Sequence, residues 1–486
     1  MTRIARPVFR ILPLILCACS LLAAASTNNK LGEHPKVADA IKVLDAWIGA
    51  TVDTRDQPGL SVGIIHDQDL IWAKGYGYAD REKKTPATPS TLYRIASISK
   101  LFTSTAILQL RDAGKLQLDD PVAKYLPWFK IQTPHPGPAI TIRHLLTHTS
   151  GLPREAVGVN WSDLTFPARE EMIRRLADQE TVWPAETEWK YSNLALSLAG
   201  EIVSAVSGEP WSQYVEKHIL TPLGMTSTRT LPNPDLPNLA TGYGRRVRGE
   251  RDVEPFVDIE AERPAGNLAS NVADLAKFLA LQFRDGEAGG AQILKGATLR
   301  EMHRVHWLRD DWKSGWGLGF SVRRVGEQTR VGHGGSLPGH RTQVELAHDI
   351  KLGVIVLTNA NDGDPLRYVD QAFKLLTPAV THAVEEAKPE SKPDSAWKKY
   401  EGIYTWKHSD IQIAVLDGEL TMISPESESA WESRVKLEPA GPDRFKMVAK
   451  TGYGAGGEQI RFEIDAEGRV TRVSTANNYW LPKPPE

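Results

Sequence analysis

Cysteine is nearly absent from this chain of 486 residues, because its only two, Cys17 and Cys19, lie close to the start. The rest of the chain therefore has no thiol nucleophile, disulfide framework or cysteine-based metal site. A net charge of −2 gives no reason to expect nucleic acid as a partner. Hydrophobic residues at 41% and charged residues at 24% are typical of folded cores, and the length suggests two or three domains.

The apolar segment from Ile11 to Leu22 is shorter than the roughly 20 residues that a membrane-spanning helix needs. A positive region precedes it and a small-residue cleavage site follows it, formed by Arg3, Arg6, Arg10 and by Ala23-Ala24-Ala25. This order is typical of a secretory signal peptide, so we predict one over residues 1–25 and an exported mature protein, periplasmic or secreted. Its removal would change the net charge from −2 to about −5.

The same segment allows a second interpretation. Leu16-Cys17-Ala18-Cys19 resembles the cleavage box of a bacterial lipoprotein, in which case Cys19 would carry a lipid and tie the protein to a membrane. The alanine-rich site fits the general signal-peptide pattern better. A membrane is therefore expected as a partner only if Cys19 is lipidated.

A serine and a lysine stand at the start of a predicted helix. In Arg94-Ile95-Ala96-Ser97-Ile98-Ser99-Lys100, Ser97 precedes Lys100 by three residues, and a run of helix formers follows up to Gly114. Side chains at this spacing share one helix face, roughly 5–6 Å apart at Cβ. A serine becomes a good nucleophile when a nearby base removes its proton, and a lysine can take part when burial or charge lowers its pKa.

Two downstream segments supply possible partners for Ser97. The tyrosine of Tyr191-Ser192-Asn193 can act as a general base and acid if cations hold its pKa well below ~10, and Asn193 can bind a substrate carbonyl and Lys100. In His333-Gly334-Gly335-Ser336, at a predicted strand end, the glycines let a substrate backbone approach. The N–H groups of Ser336 and Ser97 could form an oxyanion hole.

The order of predicted elements indicates an α+β fold. Two strands precede the Ser97 helix and about four follow a long, mainly helical region. The economical architecture is one antiparallel sheet flanked by terminal helices, with a helical lobe inserted and a cleft between lobe and sheet. We predict a catalytic domain over residues 26–386 and a polar, proline-containing linker over 387–396. Regular short strands predict a C-terminal β-domain, a small barrel or sandwich, over 397–486.

Five motifs follow one another in an order that resembles the serine β-lactamase-like and penicillin-binding proteins, most closely the class C type with its esterase and D-peptidase relatives. They are Tyr93 to Lys100, Leu145 to Leu152 (Leu-Leu-Thr-His-Thr-Ser-Gly-Leu), Tyr191-Ser192-Asn193, Gly315 to Phe320 and Gly332 to Gly335. The resemblance implies a β-lactamase/transpeptidase-like fold over roughly residues 45–376. It also implies that Ser97 forms an acyl-enzyme, that Lys100 and Tyr191 move its proton, and that the C-terminal domain is lipocalin-like.

The third motif departs from the β-lactamase pattern. That pattern has Lys-Thr-Gly, where lysine and threonine help to bind the β-lactam carboxylate, whereas this chain has His333-Gly334-Gly335. Histidine is only partly charged near neutral pH, and Gly334 has no hydroxyl. The resemblance therefore implies a carboxylesterase or D-amino-acid peptidase that cleaves a small ester, amide or peptide. A class C-type β-lactamase and a non-catalytic binding protein on the same fold remain the alternatives.

Other residues receive plainer interpretations. We expect His148 to have a structural role in its turn. His303 and His306 have no nearby carboxylate or cysteine pattern, so we predict no metal and no cofactor. The loops around residues 153–190 and 225–265 are expected to determine which substrate is taken. No pattern indicates an oligomeric state.

Overall fold

The computed structural model describes residues 31–286, 289–387, 394–449, 456–475 and 478–484. The predicted signal peptide, the candidate lipid site Cys19 and most of the predicted linker lie outside these ranges. The chain divides into two compact units, Met1–Ala383 and Val384–Glu486. The domain boundaries proposed from the sequence stay predictions.

The first unit is built on a nine-stranded antiparallel sheet in the order β3-β2-β1-β11-β10-β9-β8-β7-β6. A separate pair, β4 with β5, ties the start of the Ser97 segment to the helical lobe. The strands of this unit are β1 (Gly59–His66), β2 (Asp69–Asp80), β3 (Thr85–Pro86), β4 (Tyr93–Arg94), β5 (Ala269–Ser270), β6 (Trp307–Leu308), β7 (Ser314–Trp316), β8 (Ser321–Val325), β9 (Gln328–Leu337), β10 (His340–Ala347) and β11 (Leu352–Thr358).

Eleven α-helices lie in the described ranges, and nine of them lie between β3 and β6 along the chain. They are α1 (Pro35–Thr54), α2 (Ser99–Asp112), α3 (Val122–Tyr125), α4 (Ile142–Thr147), α5 (Arg169–Arg175), α6 (Asn193–Ser207), α7 (Trp211–Val215), α8 (Arg263–Gly266), α9 (Val272–Gln282), α10 (Gly296–His303) and α11 (Pro365–Glu386). Short 3₁₀ helices include Ala96–Ile98 and Glu260–Glu262. Among the described residues no helix is long and apolar enough to cross a membrane.

The central strands are buried on both faces. Val62 of β1 and Val356 of β11 belong to the core formed with the terminal helices α1 and α11, while Ile65 and Ile355 belong to the core formed with the inserted helices. This explains why β1 and β11 are buried at nearly every position instead of alternating between buried and exposed residues. At the end of β9, Gly335 packs closely against Ile95 and Ala96 in the turn that carries Ser97.

The second unit is a closed eight-stranded barrel, β12 to β19, with each strand paired antiparallel to its neighbours. Its interior is filled by apolar side chains such as Leu420, Phe445 and Ile460, as expected for a small barrel. Its strands are β12 (Gly402–Trp406), β13 (Ser409–Leu416), β14 (Glu419–Ile423), β15 (Val435–Gly441), β16 (Arg444–Val448), β17 (Gln459–Ile464), β18 (Val470–Ser474) and β19 (Tyr479–Pro482).

The predicted fold class is confirmed: an antiparallel sheet flanked by helices, an inserted helical lobe and a C-terminal all-β domain. Some details differ. The short strands β3 to β7 were not predicted, because runs of two or three residues carry too little periodicity. Strand β9 ends at Leu337 rather than at His333, because its pairing with β10 continues through both glycines.

Candidate active site

Ser97 lies in the tight 3₁₀ turn that leads into α2. The preceding residue, Ala96, has a φ of +49°, a left-handed conformation that costs free energy in a residue with a Cβ. The sheet holds this turn in place, because the Thr342 hydroxyl on β10 donates a hydrogen bond to the Ile95 carbonyl at 3.0 Å. Ser97 is thus presented at the junction between the sheet and the helical lobe.

Lys100 is completely buried, and its nitrogen lies close to three oxygens. Nζ is 3.0 Å from Ser97 Oγ, 2.8 Å from Asn193 Oδ1 and 2.7 Å from the Ala265 carbonyl oxygen. Burial lowers the pKa of Lys100 to about 7, although nearby carboxylates oppose this shift. Near neutral pH a large fraction of Lys100 is therefore an uncharged amine.

The three oxygens can accept the three N–H groups of the ammonium form, and they also suit the neutral amine. A neutral amine has two N–H groups and one lone pair, and Asn193 Oδ1 and the Ala265 carbonyl can each accept one N–H. The lone pair then faces Ser97 Oγ. The geometry places a proton acceptor within hydrogen-bond distance of the serine hydroxyl, as general-base activation of a serine requires.

Tyr191 stands on the other side of Ser97. Its hydroxyl lies near enough to the Ser97 side chain to affect the pKa of the phenol, and Lys100 Nζ lies 5.0 Å from the centre of its ring. Burial raises the pKa of Tyr191 above its ordinary value, an effect that outweighs the nearby Arg154 guanidinium. The sequence-based role of Tyr191 as a general base required a lowered pKa, and the pKa of Tyr191 is raised instead. Tyr191 is therefore a neutral phenol, and Lys100 has the pKa suited to accept a proton.

Aromatic rings pack around the partly buried Tyr191. The imidazole of His148 is 4.4 Å from the tyrosine ring, and the rings of Trp189 and Trp316 lie at 6.4 and 6.0 Å. His148 Nδ1 accepts the backbone N–H of Ser192 at 3.1 Å, which fixes the segment that carries Tyr191. His148 therefore makes structural contacts here, and within the described part of the chain it forms no hydrogen bond with Ser97.

Asn193 is the first residue of α6. The preceding Ser192 caps this helix by accepting the Ala195 backbone N–H at 3.0 Å. The Asn193 amide nitrogen donates to both oxygens of Glu155, at 3.0 and 2.8 Å, while its oxygen faces Lys100. The sequence did not predict Glu155, because a single acidic residue after a loop motif carries no recognisable spacing.

Strand β9 has a free edge beside Ser97. Its pairing with β8 stops at Gly332, so in the described structure residues 333–337 are paired only on the β10 side. A Cβ added to Gly335 would lie 2.2 Å from the Ile95 carbonyl oxygen and 2.2 Å from Thr342 Oγ1. Gly335 is therefore needed for close packing of the strand against the turn that carries Ser97, while Ser336 is exposed.

His333 is buried and uncharged. Its Nδ1 donates to the Gly334 carbonyl oxygen at 2.5 Å, and its Nε2 has no hydrogen-bond partner among the described residues. Burial, reinforced by the charge of Lys100, lowers the pKa of His333 to about 3. The expectation of a partly charged His333 near neutral pH is corrected: the site offers a neutral acceptor nitrogen at this position.

All seven predicted site residues except Lys100 line one cavity of about 1340 Å³. The two loops predicted to determine the substrate also line it, through residues such as Trp161 and Trp189 in one loop and Arg245 and Glu254 in the other. The wall contains both polar and aromatic side chains, and the cavity volume suits a drug-sized or short peptide substrate.

His303 and His306 do not converge on a common point. His303 Nδ1 lies 2.8 Å from His348 Nε2, whereas His306 Nε2 lies 3.1 Å from the Glu301 carbonyl oxygen. Within the described ranges no group of three or more histidine, cysteine, aspartate or glutamate side chains is arranged to hold a metal ion.

This chain is similar over most of its length to several known proteins. The family model described as Beta-lactamase matches residues 44–378. Beta-lactamase-like protein 2 of Dictyostelium discoideum is 29% identical over 387 residues, which cover 77% of this chain and 70% of that protein. The chain spans 64% of the length of another curated relative, Protein flp of Staphylococcus aureus, at 27% identity.

Two similarities come from solved structures. The octameric penicillin-binding protein homologue from Pyrococcus abyssi superposes with a TM-score of 0.62 at 26% identity, covering 91% of this chain and all of that chain. EstCE1, a hydrolase with promiscuous acyltransferase activity, superposes with a TM-score of 0.60 at 25% identity, covering 70% of this chain and 98% of that chain.

Proposed function

This chain belongs to the beta-lactamase family, whose fold is shared by hydrolases, and we propose that it is an exported serine hydrolase of the carboxylesterase or D-amino-acid peptidase type. In this proposal Ser97 attacks the carbonyl of an ester or amide and forms an acyl-enzyme. The substrate is a small molecule or short peptide bound in the cavity beside the free edge of β9.

The observation that carries the proposal is the contact between Ser97 and Lys100. A completely buried lysine with a pKa of about 7 lies 3.0 Å from the serine hydroxyl. A lysine used only for structure would gain nothing from this desolvation, whereas a base is most effective when its pKa is near the working pH.

Acylation begins with proton transfer from Ser97 Oγ to Lys100 Nζ as Oγ attacks the carbonyl carbon. The carbonyl oxygen becomes an oxyanion, for which the backbone N–H groups of Ser97 and Ser336 are the proposed donors. Tyr191, a neutral phenol beside Ser97, gives its proton to the leaving alcohol or amine. The Lys100 ammonium then returns a proton to Tyr191. Water then attacks the acyl-enzyme by the reverse proton path, and Ser97 is released.

The proposed substrate class follows from the β9 edge. A β-lactam carries a carboxylate, and the groups that would bind it in the Lys-Thr-Gly pattern are replaced by a neutral imidazole and a glycine. His333 Nε2 is instead an uncharged acceptor that suits a substrate N–H or O–H. This favours an ester or amide without a carboxylate at that point, in keeping with the similarity to the hydrolase EstCE1.

Export is proposed on the amino-terminal pattern alone. The alternatives named from the sequence, a class C-type β-lactamase and a non-catalytic binding protein, are outcomes of one experiment. The mature protein and Ser97→Ala are assayed with a short p-nitrophenyl ester, a D-alanine p-nitroanilide and a chromogenic cephalosporin. The proposal expects ester or D-amide turnover that is lost in the variant.

Other results of that experiment would overturn the proposal. Rapid turnover of the cephalosporin alone would identify a β-lactamase in which His333 replaces the usual lysine. If none of the three substrates is turned over by Ser97, although the protein still binds peptides or esters in the cavity, the binding protein is favoured.

A further inference from the structure

Two carboxyl groups lie behind Asn193. Glu155 accepts both hydrogen bonds of the Asn193 amide nitrogen, at 3.0 and 2.8 Å, and Glu262 is hydrogen-bonded in turn to Glu155. Glu262 is also anchored by the Ala156 backbone N–H at 3.0 Å. A continuous hydrogen-bonded chain therefore runs from Glu262 through Glu155 and Asn193 to Lys100, four residues drawn from separate segments.

We propose that Glu155 and Glu262 form a positioning pair, which shares one proton, turns the Asn193 amide oxygen toward Lys100 and holds one negative charge beside that lysine. The catalytic role of Glu155 and Glu262 rests on the proposed function. Their geometry and the charge that they hold do not depend on it. Neither residue belongs to the motifs that indicated the site.

The pair holds a single proton because of where it lies. Glu262 is almost completely buried, and two carboxylates in contact cannot both stay ionised at low cost. Burial first, and then the neighbouring Glu155, raises the pKa of Glu262 well above its ordinary value. Glu262 therefore carries the proton and donates it in a hydrogen bond to Glu155, whose oxygens also accept from the Asn193 amide nitrogen.

The Glu155 carboxyl oxygens determine which way the Asn193 amide points. With its nitrogen toward Glu155, the amide oxygen faces Lys100 at 2.8 Å. The reversed amide would place its oxygen against a carboxylate and its N–H groups against the lysine, losing three hydrogen bonds. The pair thus fixes one of the two acceptors that occupy the N–H groups of neutral Lys100 and leave its lone pair for Ser97.

The charge of the pair also acts on Lys100 directly. The Glu262–Glu155 pair raises the pKa of Lys100, and the guanidinium of Arg154 lowers it. Arg154 is itself paired with Glu155 at 2.9 Å. The other facing groups are the phenol of Tyr191 and the imidazoles of His148 and His333, which are neutral near pH 7. Removing the negative charge should therefore shift the titration of Lys100 to lower pH.

The test compares a variant that keeps the negative charge of the pair with a variant of similar shape that removes it. Glu262→Gln keeps a donor for Glu155, an acceptor for Ala156 and the single negative charge, so Lys100 should titrate as in the wild type. Glu155→Gln alone would let Glu262 ionise instead, so the informative variant is Glu155→Gln/Glu262→Gln, which removes the charge completely. Glu327→Gln, at an exposed turn between β8 and β9, is the matched control.

The titration is followed by NMR in full-length protein labelled with ¹³C at lysine Cε, with the Lys100 signal assigned by its loss in Lys100→Met. We expect a midpoint near 7 in the wild type, the same in Glu262→Gln and Glu327→Gln, and a value lower by roughly one pH unit in the double variant. The inference is overturned if the double variant titrates with the wild type, or if Glu262→Gln shifts as far as the double variant. Ester hydrolysis by the same samples tests the proposed function separately from the effect of the carboxyl pair on Lys100. If Ser97 supports no turnover, the proposed function is contradicted, and the NMR result for Lys100 still stands.

Discussion

The nitrogen of Lys100 lies 3.0 Å from the hydroxyl oxygen of Ser97, and the lysine side chain is completely buried. This contact unites the nucleophile and its proton acceptor in one turn of chain. Lys100→Met should remove the acceptor and lower kcat by roughly a thousandfold, as losing a general base typically does. Steady-state kinetics with a p-nitrophenyl ester measures the effect, and Lys124→Met, an exposed lysine, should keep wild-type activity.

The pH dependence of the reaction should report the same lysine. Only neutral Lys100 can accept the serine proton, and its pKa is about 7. We therefore expect kcat/KM to be low in acid, to rise with a midpoint near pH 7 and to level off at higher pH. A pH–rate profile between pH 5 and 9 provides the measurement. Activity that stays constant down to pH 5 would show that another group takes the proton.

Tyr191→Phe should affect substrates unequally. The variant keeps the ring and its aromatic contacts but loses the hydroxyl that is proposed to protonate the leaving group. An amine leaving group needs that proton, whereas p-nitrophenolate leaves without it. We expect kcat to fall by about 10²–10⁴ for a D-alanine amide and much less for the p-nitrophenyl ester. Equal losses on both substrates would argue against this role.

Gly335→Ala should disturb both folding and activity. The added Cβ would lie 2.2 Å from the Ile95 carbonyl oxygen, so the strand or the turn that carries Ser97 must move. Overpacking of this kind costs about 1–3 kcal/mol of unfolding free energy, and we expect kcat to fall with it. Gly49→Ala, in the middle of α1 with open space around it, is the matched control and should stabilise the protein slightly. Denaturant unfolding of both variants measures these changes in unfolding free energy. A Gly335→Ala variant as stable as the wild type would contradict the prediction.

Stability should fall in mild acid. Burial lowers the pKa of His148, His303, His333 and His340, so below about pH 6.5 the unfolded chain binds protons that the folded chain does not. The stabilising contribution of each histidine is fully present above that pH and is lost, by at most about 1.4 kcal/mol per pH unit, as the pH falls.

Calorimetric Tm values at pH 7.5, 6.5 and 5.5 measure this effect. His340→Gln should flatten the pH dependence, whereas His135→Gln, at an exposed loop position, should leave it unchanged. A Tm that does not change between pH 7.5 and 5.5 would contradict the neutral, buried state of these histidines.

The sequence predicted the elements that periodicity and motifs encode. The helix over Asn193–Ser207 has the predicted bounds, since Ser192 caps its start and Gly208 ends it. The serine–lysine spacing predicted the contact between Ser97 and Lys100, because residues three apart on a helix share one face.

Other properties of the site depend on burial and on contacts between distant segments, which a single sequence does not encode. The charge states of Tyr191 and His333 could not be predicted, because they follow from the rings and strands packed around them. Glu155 and Glu262 are 107 positions apart and carry no motif, and only the folded lobe brings them together.

The most direct test of the account is detection of the acyl-enzyme. The mature protein is mixed with a p-nitrophenyl ester, quenched in acid within the first turnovers and analysed by intact-mass and peptide mass spectrometry. The account predicts an added acyl group on Ser97, with release of one equivalent of p-nitrophenolate in the burst, and no adduct in Ser97→Ala. Ester turnover without any adduct, or an adduct on another residue that persists in Ser97→Ala, would contradict it.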